Sequence, residues 1–295
     1  MLAIPRPTFG VDTVIAVCEP TIAHVVAATS VLQAIEAEYA TAIDTTLAHS
    51  FATSGHGLSA ELKAEVDWAY ANRLLSKRSA ARDYYNDLRL RAPDGACPSC
   101  AVRDSAALDH YLPRESFPEL AIQPTNLVPI CTACNTIKKA HVATAPEDQF
   151  LHPYFDDLGS SRWLVADVVQ CLPSTLIFRI ERPAEWDDVL AARVAKHFER
   201  YELVELYAKK SGGFLANHRL AFETLFSSDP SSGADLVQSE ALRLADSHEA
   251  AGLSPWKATA LRAWSDSTWF CNGGWRVSDD VALERAHDRI SGRVA

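Results

Sequence analysis

Four of the seven cysteines occur as two Cys-x-x-Cys pairs, Cys97 with Cys100 and Cys131 with Cys134. Each pair can form a tight turn that presents two thiolates to one ion, and two such turns complete the tetrahedral sulfur shell that binds Zn²⁺. Because four thiolates leave no open coordination position, we expect a structural site. Zinc binding of this kind contributes on the order of 10–16 kcal/mol to folding. The competing interpretation, four unrelated buried cysteines, attributes two matched spacings to chance.

The segment that carries these cysteines differs in composition from the sequence around it. From Pro93 to about Ala143, Pro, Gly, Cys and Asn recur and no long periodic stretch occurs. Tracts rich in Ala, Leu and Glu, with apolar residues at three- and four-residue intervals, precede it and predict helices. We therefore expect an α+β chain that is mainly helical. Its expected regions are an N-terminal helical region (1–92), a metal-stapled module (93–150) and a mainly helical C-terminal region (151–295).

Periodicity also predicts the individual elements. Two β-branched runs, residues 163–169 and 174–180, flank a Pro-containing turn and predict a short β-hairpin. A break at Ser54, Gly55 and Gly57 separates the first two predicted helices. The predicted helices span 22–50, 58–91, 185–208, 214–226, 234–251, 255–271 and 278–292.

Composition and charge exclude several classes of protein. With 295 residues, of which 48% are hydrophobic and 22% charged, the chain is neither disordered nor fibrous and suits one elaborated domain or two. A net charge of −10 argues against an all-round basic surface that coats nucleic acid, although local basic patches remain compatible with it. No window reaches the ~18 uninterrupted apolar residues of a membrane helix, and the start lacks a signal-peptide run. We expect a cytoplasmic protein, without membrane association, whose cysteines are reduced.

The passage between the two cysteine pairs is the most informative stretch of the sequence. Residues 108–139 read LDHYLPRESFPELAIQPTNLVPICTACNTIKK. Asp109 and His110 place a hard carboxylate ligand beside an imidazole, and in an extended segment the two side chains point to opposite faces. One could then hold a metal while the other faces a substrate. Asn126 precedes an apolar Leu-Val-Pro, and Asn135 directly follows Cys134, where a short helix is predicted.

This passage resembles the HNH, or ββα-metal, endonucleases. The resemblance covers residues 97–139: the paired Cys-x-x-Cys turns, Asp-His followed by Leu-Pro, Asn-Leu-Val-Pro, and Cys-Asn-x-x-Lys, all in the family's order. It implies a hairpin and a helix that clamp one divalent cation, often Mg²⁺, within a fold stapled by zinc.

The resemblance also implies a role for each residue that matches the motif. His110 would be the general base, Asp109 a metal ligand, Asn126 the residue that orients His110 and its turn, and Asn135 the second ligand. Many relatives have His where this chain has Asn135. An amide oxygen suits a hard cation, so we expect Mg²⁺ or Mn²⁺ at the catalytic position.

These residue types also suit phosphodiester hydrolysis on chemical grounds. A His with a reference pKa near ~6.5 can deprotonate an attacking water at neutral pH. One cation held by Asp109 and Asn135 could contact a non-bridging phosphate oxygen and the leaving oxygen, and so stabilise charge as the bond breaks.

Simpler interpretations of the same residues stay open at this stage. Asn126 could close a turn, and Asn135 could cap a helix. Lys138 and Lys139 could contact phosphate or lie on a solvated helix face. Arg78, Arg82 and Arg89 have helical spacing and could follow a phosphate backbone or form a solvated stripe. We interpret two further histidines, His141 and His152, as structural residues. The four tryptophans of the C-terminal third suit a core or a partner-docking surface better than base-stacking platforms: Trp256, Trp264, Trp269 and Trp275.

The sequence therefore predicts a metal-dependent HNH endonuclease acting on DNA. The resemblance alone implies a bacterial anti-phage defence or restriction effector. The alternative is a non-catalytic, zinc-stabilised module that binds nucleic acid or protein. Because the chain is acidic, we expect a protein partner such as an ATPase or sensor, or a homo-oligomer, to deliver the site to DNA. Region 151–295 is the expected docking region.

Overall fold

The computed structural model of the chain describes residues 1–18, 22–51, 55–229, 231–252 and 254–277. The fold has two compact units. The first comprises Met1–Ser161 together with Ala184–Tyr201, and the second comprises Arg162–Pro183 and the chain from Glu202 onward. The predicted limits near 92 and 150 both lie inside the first unit, so the cysteine-rich segment and the N-terminal helices share one body.

The first unit combines seven helices with one small sheet among its described residues. The predicted helical tracts 22–50 and 58–91 are helical, but each is divided into shorter pieces. Gly57, with φ +69°, lies at the predicted break between them, whereas Ser54 lies outside the described residues. The elements are α1 (Val11–Cys18), α2 (Ala23–Ala27), α3 (Thr29–Asp44), α4 (Ala60–Ala69), α5 (Arg82–Leu90), β1 (Ala107–His110), β2 (Leu127–Ile130), α6 (Thr132–Lys138) and α7 (Asp188–Arg200).

Apolar spacing and capping account for the N-terminal helices. Helix α3 buries Leu32, Ile35, Tyr39 and Ile43, which recur at three- and four-residue intervals and form one face. At the start of α4, the hydroxyl of Ser59 accepts a hydrogen bond from the Leu62 backbone N–H and so caps the helix. Helix α5 packs against both strands of the sheet, so the N-terminal helical region contacts the cysteine-rich segment through α5.

The small sheet and α6 are formed by the passage between and after the cysteine pairs. Strands β1 and β2 pair antiparallel, with Asp109 opposite Val128 and His110 opposite Leu127. All four residues of β2 are buried. Helix α6 begins directly after β2, where Cys131 is the N-cap and its Sγ accepts a hydrogen bond from the Cys134 N–H.

Helix α7 belongs to the first unit although it follows an excursion of the chain into the second. Its Arg193 is buried and donates to the backbone oxygens of Gln149 and Phe150 and to both carboxylate oxygens of Asp156. The helix predicted over 185–208 is divided into two. It ends at Arg200, and a new helix begins at Leu203 after Glu202, which adopts a left-handed φ of 53°.

The second unit contains the predicted hairpin and a helical core. Strands β3 (Leu164–Val169) and β4 (Thr175–Ile180) pair antiparallel as predicted, with Ala166 opposite Phe178. The helices are α8 (Leu203–Ser228), α9 (Gly233–Ala251) and α10 (Pro255–Asp266). Gly233 is required at the start of α9, because a Cβ there would lie 2.3 Å from the backbone oxygen of Phe226. The helix predicted over 278–292 lies outside the described residues.

Tryptophans fill the core of this second unit. Trp256, Trp264 and Trp275 are buried, and Trp264 stacks on Phe270 with ring centroids 5.3 Å apart. These side chains stabilise the unit that contains them, in agreement with the core interpretation.

The α+β class expected from the sequence is confirmed, since helices predominate in the described part of the chain and two small antiparallel sheets accompany them there. Within the described ranges, none of the helices combines the length and apolar content needed to cross a membrane.

Candidate functional site

The four paired cysteines meet in one buried cluster. One Sγ atom from each of Cys97, Cys100, Cys131 and Cys134 lies within 4.8 Å of the others, a spacing that can hold a metal ion such as Zn²⁺. One pair lies on a turn before β1 and the other spans the junction of β2 and α6. The three other cysteines take no part in this cluster: Cys18, Cys171 and Cys271.

Donors around the cluster favour negatively charged sulfur. The backbone N–H groups of Arg103 and Cys134 lie 3.5 and 3.4 Å from the Sγ atoms of Cys100 and Cys131. Burial opposes the charge of the Arg103 guanidinium, yet the neighbouring thiolates raise the pKa of that group. These contacts stabilise the thiolate form that metal binding requires.

His110, at the end of β1, is held in one tautomer. Its Nε2 lies 2.9 Å from the carbonyl oxygen of Ala121, and since a carbonyl can only accept, Nε2 carries the proton and donates it. Burial lowers the pKa of His110 to about 4, with smaller contributions from Arg114 and Lys138 in the same direction, while the carbonyl opposes the shift. The edge-on ring of Tyr70 packs against the imidazole at a centroid distance of 4.5 Å. The neutral ring therefore carries no proton on Nδ1.

Asp109 is a nearly buried carboxylate paired with Lys138 on α6. The side chain of Asp109 is 11% exposed and that of Lys138 is 3% exposed, and Nζ lies 2.9 Å from Oδ2. Burial raises the pKa of Asp109, and the lysine charge and hydrogen bond partly offset that rise. Lys138 also donates to the backbone oxygen of His110 at 2.9 Å, so it connects α6 to the end of β1.

Of the two lysines at the end of α6, Lys138 differs from both sequence-based interpretations, whereas the exposure of Lys139 is compatible with either. Lys138 neither faces solvent nor has the exposure that a phosphate contact needs, because it is buried against β1. Lys139 is exposed and has φ 54° and ψ −150°, a backbone conformation that favours glycine.

Asn126 is fully buried and closes the loop between the two strands. Its Oδ1 accepts from the Leu112 N–H at 2.8 Å, and its Nδ2 donates to the carbonyl oxygens of Leu112 and Leu120. Its backbone oxygen accepts from the Tyr111 N–H. No hydrogen bond joins the Asn126 side chain to the imidazole of His110. Asn126 thus acts on the loop that carries the Ala121 carbonyl, as the turn-closing interpretation expected.

An open, polar cavity of about 310 Å³ brings together three of the predicted site residues. Asp109, His110 and Asn135 all line it, although regular strand alternation predicted opposite faces for the first two. The strand ends at His110, where that alternation no longer applies. Asn135 lies inside α6, whose N-cap is Cys131, so it is not the helix cap. The remaining lining residues are Tyr70, Leu108, Pro113, Arg114, Glu115, Lys139 and Ala140.

The basic residues before the first cysteine pair do not form one continuous helical face. Arg82 and Arg89 lie on α5, but Arg78 lies in the loop before it. Arg82 also packs over the Tyr85 ring at 4.1 Å and donates to the Leu75 carbonyl, so part of this set supports the fold.

Sequence reasoning missed several residues around the site. Tyr70 and Arg114 border the cavity, and Glu119 is fully buried near His110. The only signal for Glu119 is an acidic residue set within the apolar run Phe117–Ile122. Tyr70 and Arg114 have no distinguishing local pattern.

A comparison with known proteins adds one partial likeness. Over 158 residues the chain is 32% identical to protein ea31 of Escherichia phage lambda. That alignment covers 52% of this chain and 53% of the phage protein, so it spans about half of each. No family model and no solved structure matches the sequence. The chemistry of the site must therefore be argued from its own geometry.

Proposed function

We propose that the protein is a metal-dependent HNH endonuclease that hydrolyses phosphodiester bonds in DNA at the cavity lined by Asp109, His110 and Asn135. The observation that carries this proposal is the neutral His110, whose Nε2 is fixed by the Ala121 carbonyl beside a carboxylate and an amide in one open cavity. The order of hairpin and helix around these residues, β1, β2 and α6, supports the resemblance seen in the sequence.

His110 acts as the general base in this proposal. With the proton on Nε2, Nδ1 can accept the proton of a water molecule that attacks the phosphorus. Burial keeps the ring neutral at physiological pH, so no proton must leave it before the reaction. The Ala121 carbonyl then stabilises the imidazolium that forms, because it faces the N–H on the opposite side of the ring.

Asp109 and Asn135 are the residues that would hold the catalytic cation. A carboxylate and an amide oxygen suit Mg²⁺ or Mn²⁺, which need few protein ligands and complete their shell with water and phosphate oxygens. Lys138 contacts Oδ2 of Asp109, so the second carboxylate oxygen is the one proposed for the cation. Such a cation would stabilise the charge that develops on the phosphate and on the leaving oxygen.

The cysteine cluster has a structural role in the same proposal. It fixes the turn before β1 and the start of α6, the elements that carry Asp109 and Asn135. We propose Zn²⁺ there, since four thiolates match its preferred shell.

The wider setting of the activity follows from the charge of the chain. A net charge of −10 repels a polyanion, so we propose that a protein partner, such as an ATPase or sensor, or a second copy brings the site to DNA. An anti-phage defence or restriction system is the setting proposed from the family resemblance.

The Lys138–Asp109 ion pair favours one other function, a zinc-stabilised module that binds nucleic acid or protein without catalysis. In such a module the lysine neutralises the carboxylate and no cation is needed. The two functions differ in what happens to bound DNA, because only the nuclease converts it to product.

Divalent-metal dependence provides the test. Cleavage of labelled DNA duplex should require Mg²⁺ or Mn²⁺, and Asp109→Ala and Asn135→Ala should each raise the metal concentration needed for half-maximal rate. Thr136→Ala, an exposed neighbour on α6, is the matched control and should behave as wild type. Binding without cleavage at any metal concentration would favour the non-catalytic module, and full wild-type activity in a chelator too mild to remove thiolate-bound zinc would reject the cation scheme.

A further inference from the structure

A fully buried carboxylate lies two residues before the carbonyl that holds His110. Glu119 is 0% exposed, and its Oε1 lies 2.9 Å from Nδ1 of His56. Its Oε2 is buried and has no hydrogen-bond partner among the described residues. Glu119 belongs to the helical turn Pro118–Leu120, and the next residue is Ala121.

His56 holds this carboxylate from a separate loop. Its backbone is left-handed, with φ 48° and ψ 34°, and its ring packs against Phe51 at a centroid distance of 4.7 Å. Because a carboxylate only accepts, Nδ1 of His56 donates to Glu119. Nε2 of the same ring lies 3.5 Å from Oε1 of Glu38 on α3, so His56 is placed between two carboxylates.

The turn that contains Glu119 is held from two sides. Asn126 donates to the Leu120 carbonyl from within the strand-connecting loop, and His56 holds the Glu119 carboxylate from outside it. Between these two anchors the Ala121 carbonyl is aimed at Nε2 of His110 at 2.9 Å. Movement of the turn would lengthen that hydrogen bond, and both neutral tautomers of His110 would then be populated.

Stability alone does not account for this arrangement. Replacing both partners of a buried hydrogen bond with apolar side chains of similar shape is often nearly neutral or stabilising, and a buried oxygen without a partner carries a desolvation cost. A fully buried glutamate with one unpartnered oxygen beside a functional loop is therefore better explained by placement of that loop than by its contribution to folding.

We propose that Glu119, held by His56, is a positioning residue for His110. It fixes the Pro118–Ala121 turn so that the Ala121 carbonyl keeps the proton on Nε2 and leaves Nδ1 unprotonated. The consequence for catalysis rests on the proposed nuclease function, whereas the tautomer of His110 can be measured without any substrate.

Ring ¹⁵N spectroscopy tests the tautomer directly. In ¹⁵N-histidine-labelled full-length protein, long-range ¹H–¹⁵N correlations distinguish a protonated from an unprotonated ring nitrogen, and His110→Ala assigns the signals. Wild type should show His110 protonated at Nε2 alone. Glu119→Leu should shift His110 toward a mixture of tautomers, Glu119→Gln should retain the wild-type pattern because its amide oxygen can still accept from His56, and the exposed-site control Glu199→Leu should also retain it.

A second variant and a kinetic measurement keep the test decisive. His56→Leu leaves Glu119 in place but removes its hydrogen-bond donor. It should produce the same mixture of His110 tautomers, and it provides the test if Glu119→Leu does not fold. If His110 keeps the wild-type tautomer in either variant, with that variant folded and loaded with zinc, the proposal is overturned. If the protein cleaves DNA, both variants should lower kcat by about 10- to 100-fold with little change in KM, the range seen when an orienting residue is lost. Absence of cleavage by wild type would count against the nuclease function while the ring spectra still decide the positioning role.

Discussion

Lys138 and Lys139 are adjacent residues of the same type, yet they differ in burial. Lys138 lies between Asp109 and the His110 carbonyl, whereas Lys139 is exposed on the cavity wall. Sequence could not distinguish them, because which of two adjacent lysines is buried depends on the rotation of α6 against β1. The family resemblance placed Asp109, His110 and Asn135 in one site, and all three line the cavity, although strand alternation predicted opposite faces for the first two.

The Lys138–Asp109 pair leads to a stability prediction. Lys138→Met keeps the aliphatic volume but leaves the Asp109 charge buried without its partner, so the free energy of unfolding should fall by about 3–5 kcal/mol. Lys139→Met is the matched control and should change it by less than about 0.5 kcal/mol, as at other exposed positions. Urea denaturation of both variants at equal metal content gives the comparison. Equal stabilities would mean that the ion pair does not hold α6 against β1.

Short strands and chain breaks limited prediction at the scale of elements. The hairpin of β3 and β4 was found because its β-branched runs are six residues long, but β1 and β2 have four residues each and are defined by the loop and the cysteine turns around them. The break between α7 and α8 was missed because Glu202, a non-glycine residue with positive φ, gives no local signal.

The cysteine turns give the first prediction about an element. Purified protein should contain about one zinc per chain, bound by the two turns that flank the small sheet. Cys100→Ser should lose most of that zinc and unfold the module, while Cys271→Ser, a buried cysteine outside the cluster, should keep it. Elemental analysis of the purified proteins measures this. Four freely reactive thiols in folded, zinc-free wild type would contradict the metal site.

Docking of α7 gives a second prediction at this scale. Arg193→Met removes the buried donor that joins α7 to Gln149, Phe150 and Asp156, and leaves the Asp156 carboxylate, only 14% exposed, without its cation. We expect a loss of about 3–5 kcal/mol in the free energy of unfolding. Arg200→Met, an exposed arginine on the same helix, serves as the control. Thermal unfolding followed by circular dichroism measures both, and unchanged stability for Arg193→Met would show that α7 is not integral to the first unit.

For the whole molecule, the division into two units could not be predicted from the sequence. The chain enters the second unit at residues 162–183 and then returns to the first unit as α7. Composition marks the cysteine-rich segment but does not show that α7 completes the body containing it. The tryptophans of the second unit illustrate the same limit, since their spacing fits either a core or an exposed docking face, and burial decides for the core at three positions.

The buried His152 predicts how stability depends on pH. Its Nδ1 accepts from the Tyr154 N–H and its Nε2 lies 3.1 Å from the Tyr39 hydroxyl, while burial, followed by the Arg193 charge, lowers its pKa well below the usual value. A histidine that is neutral when folded and titrates near ~6.5 when unfolded stabilises the fold above that pH. This contribution is lost as pH falls from there toward the folded pKa, by up to about 1.4 kcal/mol per pH unit.

Urea unfolding at pH 7, 6 and 5 measures this contribution. His152→Asn should be less stable than wild type at pH 7. Its free energy of unfolding should fall less steeply between pH 6.5 and 5, and the difference in slope should correspond to about one proton bound on unfolding. Surface His24→Asn should act in the opposite direction, because the hydrogen bond to Glu65 raises the pKa of His24 and that group stabilises the fold as pH falls. Parallel curves for wild type and His152→Asn would contradict the neutral buried state.

His110 is proposed as the general base of a DNA-cleaving site. The most direct measurement is the initial rate of cleavage of a labelled duplex in Mg²⁺ by wild type and by His110→Ala, with zinc content and thermal stability measured on the same samples. We expect the rate to fall about 10²–10⁴-fold, as when a general base is removed, at unchanged zinc content. A wild-type rate in the folded variant would contradict it and assign the base elsewhere.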